Sequence, residues 1–108
     1  MDITNDLNPD SPVAYTANMA KILSFPYVAG SALDTNPMYL DGVAQSLGAN
    51  SNVLSTVNDT FTVGHHDNDG DQGMTGHVAE VIVYDTAHDD TTRQGIEQYL
   101  ATKYGVSI

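Results

Sequence analysis

The sequence contains no cysteine, no tryptophan and only three basic residues among its 108. Without cysteine, no disulfide framework can hold the chain together, and the cellular compartment is left open. The three Lys and Arg residues stand against fourteen Asp and Glu, which gives a formal net charge of −11. A charge of this sign repels nucleic-acid phosphates and anionic lipids, so we expect no nucleic acid among the partners.

Long apolar runs are absent as well. No run approaches the roughly 18 apolar residues that a membrane-spanning helix requires, so we expect no insertion into a membrane. The first residues, Met1 to Thr4, lack the basic and apolar regions of a signal peptide, so we expect any export signal to lie upstream. The length suits one domain with a small core, because a chain of this size buries only about two-thirds of the surface that it exposes when unfolded.

The chain divides into an irregular arm and one domain. Residues 1–18 contain Pro9, Pro12 and several Asn and Asp, with little periodicity. Residues 19–108 are predicted to form the domain. Alternating apolar and polar residues predict four strands, near 20–28, 37–46, 60–66 and 76–84.

Three sequence features indicate how the predicted strands are arranged. Asp41-Gly42 predicts a hairpin, because both residues tolerate the positive φ angles of a tight turn. Pro26 has no donor N–H, which places the first strand at a sheet edge or at a bulge. The segment 76–84 is the most apolar and carries large side chains on both faces, so it is predicted to be the central strand.

A helix is predicted over residues 90–104. Its apolar stripe lies at positions i, i+3, i+4 and i+8 and consists of Ile96, Tyr99, Leu100 and Tyr104. Asp89 is the expected N-cap, Asp90 complements the helix dipole, and Gly105 is expected to end the helix. We expect the helix to cover the strand 76–84, with a core made of Val81, Ile82, Val83, Tyr99 and Leu100.

The order and spacing of these segments resemble a known superfamily. The runs Gly76–Asp85 and Gln94–Gly105 look like the C-terminal signature of the laminin-G-like, concanavalin-A-like lectin and glucanase jelly rolls. Tyr39–Val43 and Phe61–Gly64 are similar to the hairpin and the following strand of that superfamily. The resemblance implies an all-β, concanavalin-like jelly-roll β-sandwich with one C-terminal α-helix. The resemblance implies that the N-terminal strands of the sandwich are missing, so we expect the chain to be either the C-terminal half or a minimal form that associates with itself or with the missing upstream strands.

The loop after the third strand carries the candidate binding residues. Its run Asp-Asn-Asp-Gly-Asp begins at Asp67 and offers the hard oxygen ligands that Ca²⁺ prefers, although it lacks the EF-hand pattern. A solvated acidic turn is the alternative. The predicted metal ligands are Asp67, Asp69 and Asp71, and the predicted ligand-binding residues are His65, His66, Asp67 and Asn68.

We predict that the chain is not an enzyme. Glu80 and Asp85 differ by five positions, which places them on opposite faces of a strand and not in the paired arrangement of a glycoside hydrolase. Cysteine nucleophiles, a serine elbow and a phosphate-binding glycine loop are lacking. We interpret Glu80, the lone charge of its apolar segment, as a buried polar anchor that is held by hydrogen bonds.

The resemblance also implies a function. Glycan or protein ligands would be bound by loops at the rim of the sandwich, in some cases through Ca²⁺. We therefore predict a non-catalytic recognition or adhesion module, extracellular or on a cell or virion surface. The alternative is a structural or interaction segment of a larger viral or cell-surface assembly, because unpaired strand edges bind other chains.

Overall fold

The computed structural model describes residues 18–45, 47–54, 63 and 75–108. These residues form one three-stranded antiparallel sheet in the order β1-β2-β3, together with one helix. The elements are β1 Leu23–Ser24, a short 3-10 turn Leu33–Thr35, β2 Met38–Leu40, β3 Val43–Gln45 and α1 Asp90–Tyr104. The described part of the chain is therefore a small structure of mixed α and β content.

The prediction of an all-β jelly-roll sandwich is wrong. A jelly roll packs two sheets built from about eight strands, whereas the described residues form a single sheet of three short strands beside a helix. The predicted strand 60–66 lies outside the described residues except for Val63, as does the predicted arm except for Asn18. The division into an arm and a domain therefore stays a prediction.

The hairpin prediction is confirmed. β2 and β3 pair with Leu40 opposite Val43, which leaves Asp41 and Gly42 as a two-residue turn. Their φ angles are 48° and 79°, the positive values that a type I′ turn requires. Asp41 also extends the pairing with β1, because its N–H donates to the carbonyl of Ile22 at 2.8 Å and its Oδ1 accepts from the N–H of Ile22 at 2.8 Å.

The loop between β1 and β2 is held by a buried asparagine. The Oδ1 of Asn36 accepts from the N–H of Val28 at 2.9 Å, and its Nδ2 donates to the carbonyl of Ala32 at 2.7 Å. These bonds satisfy the polar groups that burial would otherwise leave without water. The N–H of Asn36 also donates to the carbonyl of Leu33 at 3.1 Å, and Leu33, which is 1% exposed, belongs to the small core with Ile22 and Met38.

The limits of helix α1 are as predicted, and so are its caps. The Oδ1 of Asp89 accepts from the N–H of Thr92 at 2.8 Å, and this bond lowers the pKa of the carboxyl group. Gly105 ends the helix in the left-handed conformation, at φ 67° and ψ 34°.

The predicted buried face of the helix is wrong. The residues that α1 buries are Arg93, Glu97 and Ala101, spaced four apart, whereas Tyr99 is exposed and Leu100 is half-buried. The reason lies in the sheet that receives the helix: the guanidinium of Arg93 stacks 3.5 Å from the centroid of the Tyr39 ring on β2. The Oγ of Ser24 on β1 donates to Oε1 of Glu97. The helix thus packs on β1 and β2 through polar groups.

The prediction of a central strand at 76–84 is also wrong. Residues 77–84 carry neither strand nor helix, and Val81, Ile82 and Val83 are exposed where a core was expected. A segment with apolar side chains on both faces needs a neighbour on each side. The described sheet consists of β1, β2 and β3 alone and supplies no such neighbours.

Candidate interaction surface

The segment 77–84 carries more exposed large apolar side chains than any other stretch of similar length among the described residues. Five of its side chains are between 40% and 72% exposed: Val78, Val81, Ile82, Val83 and Tyr84. Single apolar residues on a surface are ordinary, but a continuous group of this kind marks a site of contact. We call residues 77–84 the open segment.

The backbone of the open segment has no partner within the described part of the chain. Backbone hydrogen bonds outside the regular elements join residues of the β1–β2 loop, the hairpin and the ends of the helix, and none involves residues 77–84. The segment therefore offers N–H and C=O groups as well as apolar side chains. Such a combination resembles the edge of a sheet.

Glu80 fastens the middle of the open segment to the end of the helix. Its Oε2 accepts from the hydroxyl of Tyr104 at 2.7 Å and from Nζ of Lys103 at 2.9 Å. These two bonds, that of Tyr104 first, lower the pKa of the Glu80 carboxyl group. The prediction of a hydrogen-bonded anchor is confirmed, whereas the prediction that Glu80 is buried is wrong because the residue is exposed.

A second contact fastens the C-terminal end of the open segment. The ring of Tyr84 meets the imidazole of His88 edge to face, with centroids 4.4 Å apart. His88 directly precedes the N-cap Asp89, so the segment leads into a fixed helix start. The open segment is therefore anchored at its middle and at one end while its apolar side chains face water.

A buried charge pair beneath the sheet was missed by sequence reasoning. Nη1 of Arg93 donates to both carboxylate oxygens of Glu97, at 2.7 and 2.6 Å, and the two side chains are only 6% and 2% exposed. The i, i+4 spacing of Arg93 and Glu97 was a readable signal for an ion pair. Their burial was not readable, because it depends on Tyr39 and Ser24 in distant strands.

All three Lys and Arg residues of the chain lie in the described part, and each one is already paired. Lys21 bonds Asp41 at 2.7 Å, Arg93 bonds Glu97 at 2.6 Å and Lys103 bonds Glu80 at 2.9 Å. Most of the fourteen carboxylates have no basic residue left to compensate them. Apart from these three residues and the four histidines, the chain has no side chain that can carry a positive charge.

A groove of about 300 Å³ lies between the hairpin turn and the helix. Its lining includes the carboxylates of Asp41 and Glu97 and the side chains of Val43 and Ile108. Asp41 is bonded to Lys21, and Glu97 to Arg93. Since both carboxylates are committed within the fold, the groove offers weaker binding chemistry than the open segment.

The binding residues predicted from the sequence, His65, His66, Asp67, Asn68, Asp69 and Asp71, all lie outside the described residues. Their roles toward Ca²⁺ and ligands stay predictions. Within the described ranges, no three His, Asp or Glu side chains group as a metal site would need. The helix in these ranges is too short and too polar to cross a membrane.

No family model, curated protein or solved structure matches the chain. The resemblance to the laminin-G-like superfamily therefore stays a prediction, and the fold that it implied is not the one observed. Functional inference has to start from the surface itself.

Proposed function

We propose that the chain is a non-catalytic interaction module that binds another protein through the open segment. The observation that supports the proposal is the exposure of five large apolar side chains within seven residues: Val78, Val81, Ile82, Val83 and Tyr84. Removing this apolar surface from water favours association, by roughly 25 cal/mol for each Å² buried.

The anchors of the open segment favour binding over non-specific collapse. The Tyr104 and Lys103 bonds hold Glu80, and the Tyr84–His88 contact holds the end that leads into the helix. A segment that is held before binding loses less conformational freedom when a partner arrives. The arrangement therefore supports recognition of a defined partner.

Amide hydrogen exchange of the free full-length chain tests the proposal. We expect the amides of residues 78–84 to exchange close to their intrinsic rates, while the amides around Ala101 in the helix are protected. Protection of residues 78–84 at the level of the helix would show that the segment is already paired and would contradict the proposed function.

A further inference from the structure

We propose that the occupant of the open segment is an extended strand of another protein, with apolar residues along its length and Lys or Arg at its ends. This inference rests on the proposed function, because it names the class of partner for the same surface. The two properties of the partner, its extended backbone and its positive charge, follow from two separate observations.

The backbone of the open segment requires an extended partner. No hydrogen bond of the described residues engages the backbone of 77–84, and Val78, Val81, Ile82 and Val83 are β-branched residues that favour an extended conformation. Strand addition satisfies such a backbone through main-chain bonds, and alternate side chains then provide specificity. A partner helix would cover the apolar side chains but would leave these N–H and C=O groups unpaired.

The charges of the chain require a basic partner. Lys21, Arg93 and Lys103 are each committed to an internal carboxylate. Asp85 directly follows the open segment and belongs to none of the ion pairs among the described residues. A Lys or Arg beyond the end of an added strand would lie close to this carboxylate and would meet a chain of net charge −11.

The same charges argue against a second copy as the occupant. Two copies would bring together two chains that each carry a net charge of −11, and neither copy has an uncommitted Lys or Arg to offer the other. Repulsion between like charges suppresses such pairing, most strongly at low ionic strength.

Two synthetic peptides of about ten residues, an ordinary upper length for a strand, test the inference. Both alternate valine and threonine, one with two lysines at each end and the other with two glutamates. Fluorescence anisotropy of the labelled peptides gives their affinities for the full-length chain. We expect the lysine peptide to bind about fivefold more tightly, because it can form an exposed charge pair with Asp85 whereas the glutamate peptide is repelled by a chain of net charge −11, and we expect it to protect the amides of 78–84 from exchange.

Three variants locate the binding. Val81→Pro removes one backbone N–H from the open segment and should abolish binding of the lysine peptide, while Val81→Thr keeps that N–H and should retain most of the affinity. Asp85→Asn should weaken the lysine peptide alone. Unchanged exchange at Ala101 confirms that each variant keeps its helix.

The outcomes separate this inference from the proposed function. In one outcome, the amides of 78–84 exchange freely while both peptides bind equally or neither binds. That result would contradict the proposal of a basic strand and would leave the proposed interaction module unaffected. Protected amides in the free chain would overturn both, and a concentration-dependent dimer in sedimentation velocity would then identify a second copy as the occupant.

Discussion

The hairpin region, residues 21–45, and the open segment differ in burial in the opposite sense to the one that their compositions suggest. Residues 21–45 contain Lys21, Asn36 and Asp41, yet they form a paired sheet in which these polar groups are bonded. Residues 77–84 are largely apolar, with six apolar residues among eight, yet their large apolar side chains face water. The difference is that the hairpin region carries its own backbone partners and the open segment carries none among the described residues.

This contrast shows how burial depends on backbone pairing. A segment enters a core only where its N–H and C=O groups find partners, because an unpaired buried polar group costs as much as several methylenes contribute. Asp41 provides such partners to β1 from within its own turn.

The largest effect is expected at the charge pair beneath the sheet. Arg93→Met should lower the free energy of unfolding by about 3–5 kcal/mol, because it leaves the Glu97 carboxylate buried without its partner. Urea denaturation followed by circular dichroism measures the change. The double variant Arg93→Met/Glu97→Leu is the control: removing both charges should recover most of the loss. A double variant as unstable as the single one would show that the pair matters only through its packing on Tyr39.

The second prediction compares one truncation in each region. Leu33→Ala should cost about 2–5 kcal/mol, because Leu33 is 1% exposed and its removal leaves a cavity. Val83→Ala should change stability by no more than about 0.5 kcal/mol, because Val83 is 72% exposed. Thermal unfolding of the two variants measures both changes in stability. Equal losses would mean that the open segment is buried in solution and that the contrast is wrong.

The sequence predicted those elements whose signals are local. Asp41-Gly42 specifies its own turn, and Asp89 and Gly105 specify the ends of the helix within a few residues of themselves. The buried face of the helix could not be predicted, because Arg93 is buried by a ring on β2. The prediction of a strand at 76–84 was wrong for the same reason. Alternation of side chains shows that a segment can pair with another strand, but it does not show whether a partner strand is present.

The third prediction concerns the acidic loop between the two regions. If Asp67, Asp69 and Asp71 bind Ca²⁺ as the sequence predicts, calcium should stabilise the fold by about 2.7 kcal/mol at one hundred times its Kd. Melting curves with millimolar calcium and with chelator measure the shift, since extracellular modules bind with Kd of about 10⁻⁴–10⁻³ M. Asp69→Ala should remove it, while Asp85→Ala should retain it. Identical curves would leave the loop as a solvated turn.

The fourth prediction uses one substitution at two glycines. Gly42→Ala should destabilise the hairpin by about 1–2 kcal/mol, because its φ of 79° is strained for any residue with a Cβ. Gly95→Ala should stabilise the helix by about 1 kcal/mol, because a Cβ there meets no atom within 4 Å. Differential scanning calorimetry should therefore show shifts of opposite sign. Shifts of the same sign would contradict either the turn or the free space beside the helix.

The smallest effect is expected at the anchor of the open segment. The bonds from Tyr104 and Lys103 lower the pKa of Glu80 below its ordinary value of 4.5. A carboxyl group whose pKa is lower in the folded state stabilises the fold above the unfolded pKa, and this contribution is lost as the pH falls through the folded value. Glu80→Gln should therefore melt below the wild type at neutral pH, and the gap should close as the pH falls below 4.5.

Asp85→Asn is the matched control for this substitution. Asp85 lies in the same part of the chain but belongs to none of the ion pairs among the described residues, so its replacement should leave the melting temperature at neutral pH close to that of the wild type. Removing the Glu80 anchor should also free the middle of the open segment and weaken the lysine peptide, because a looser segment loses more conformational freedom on binding. A gap between wild type and Glu80→Gln that stays constant from neutral pH to well below 4.5 would show that the carboxylate is not bonded to Tyr104 and Lys103 in solution.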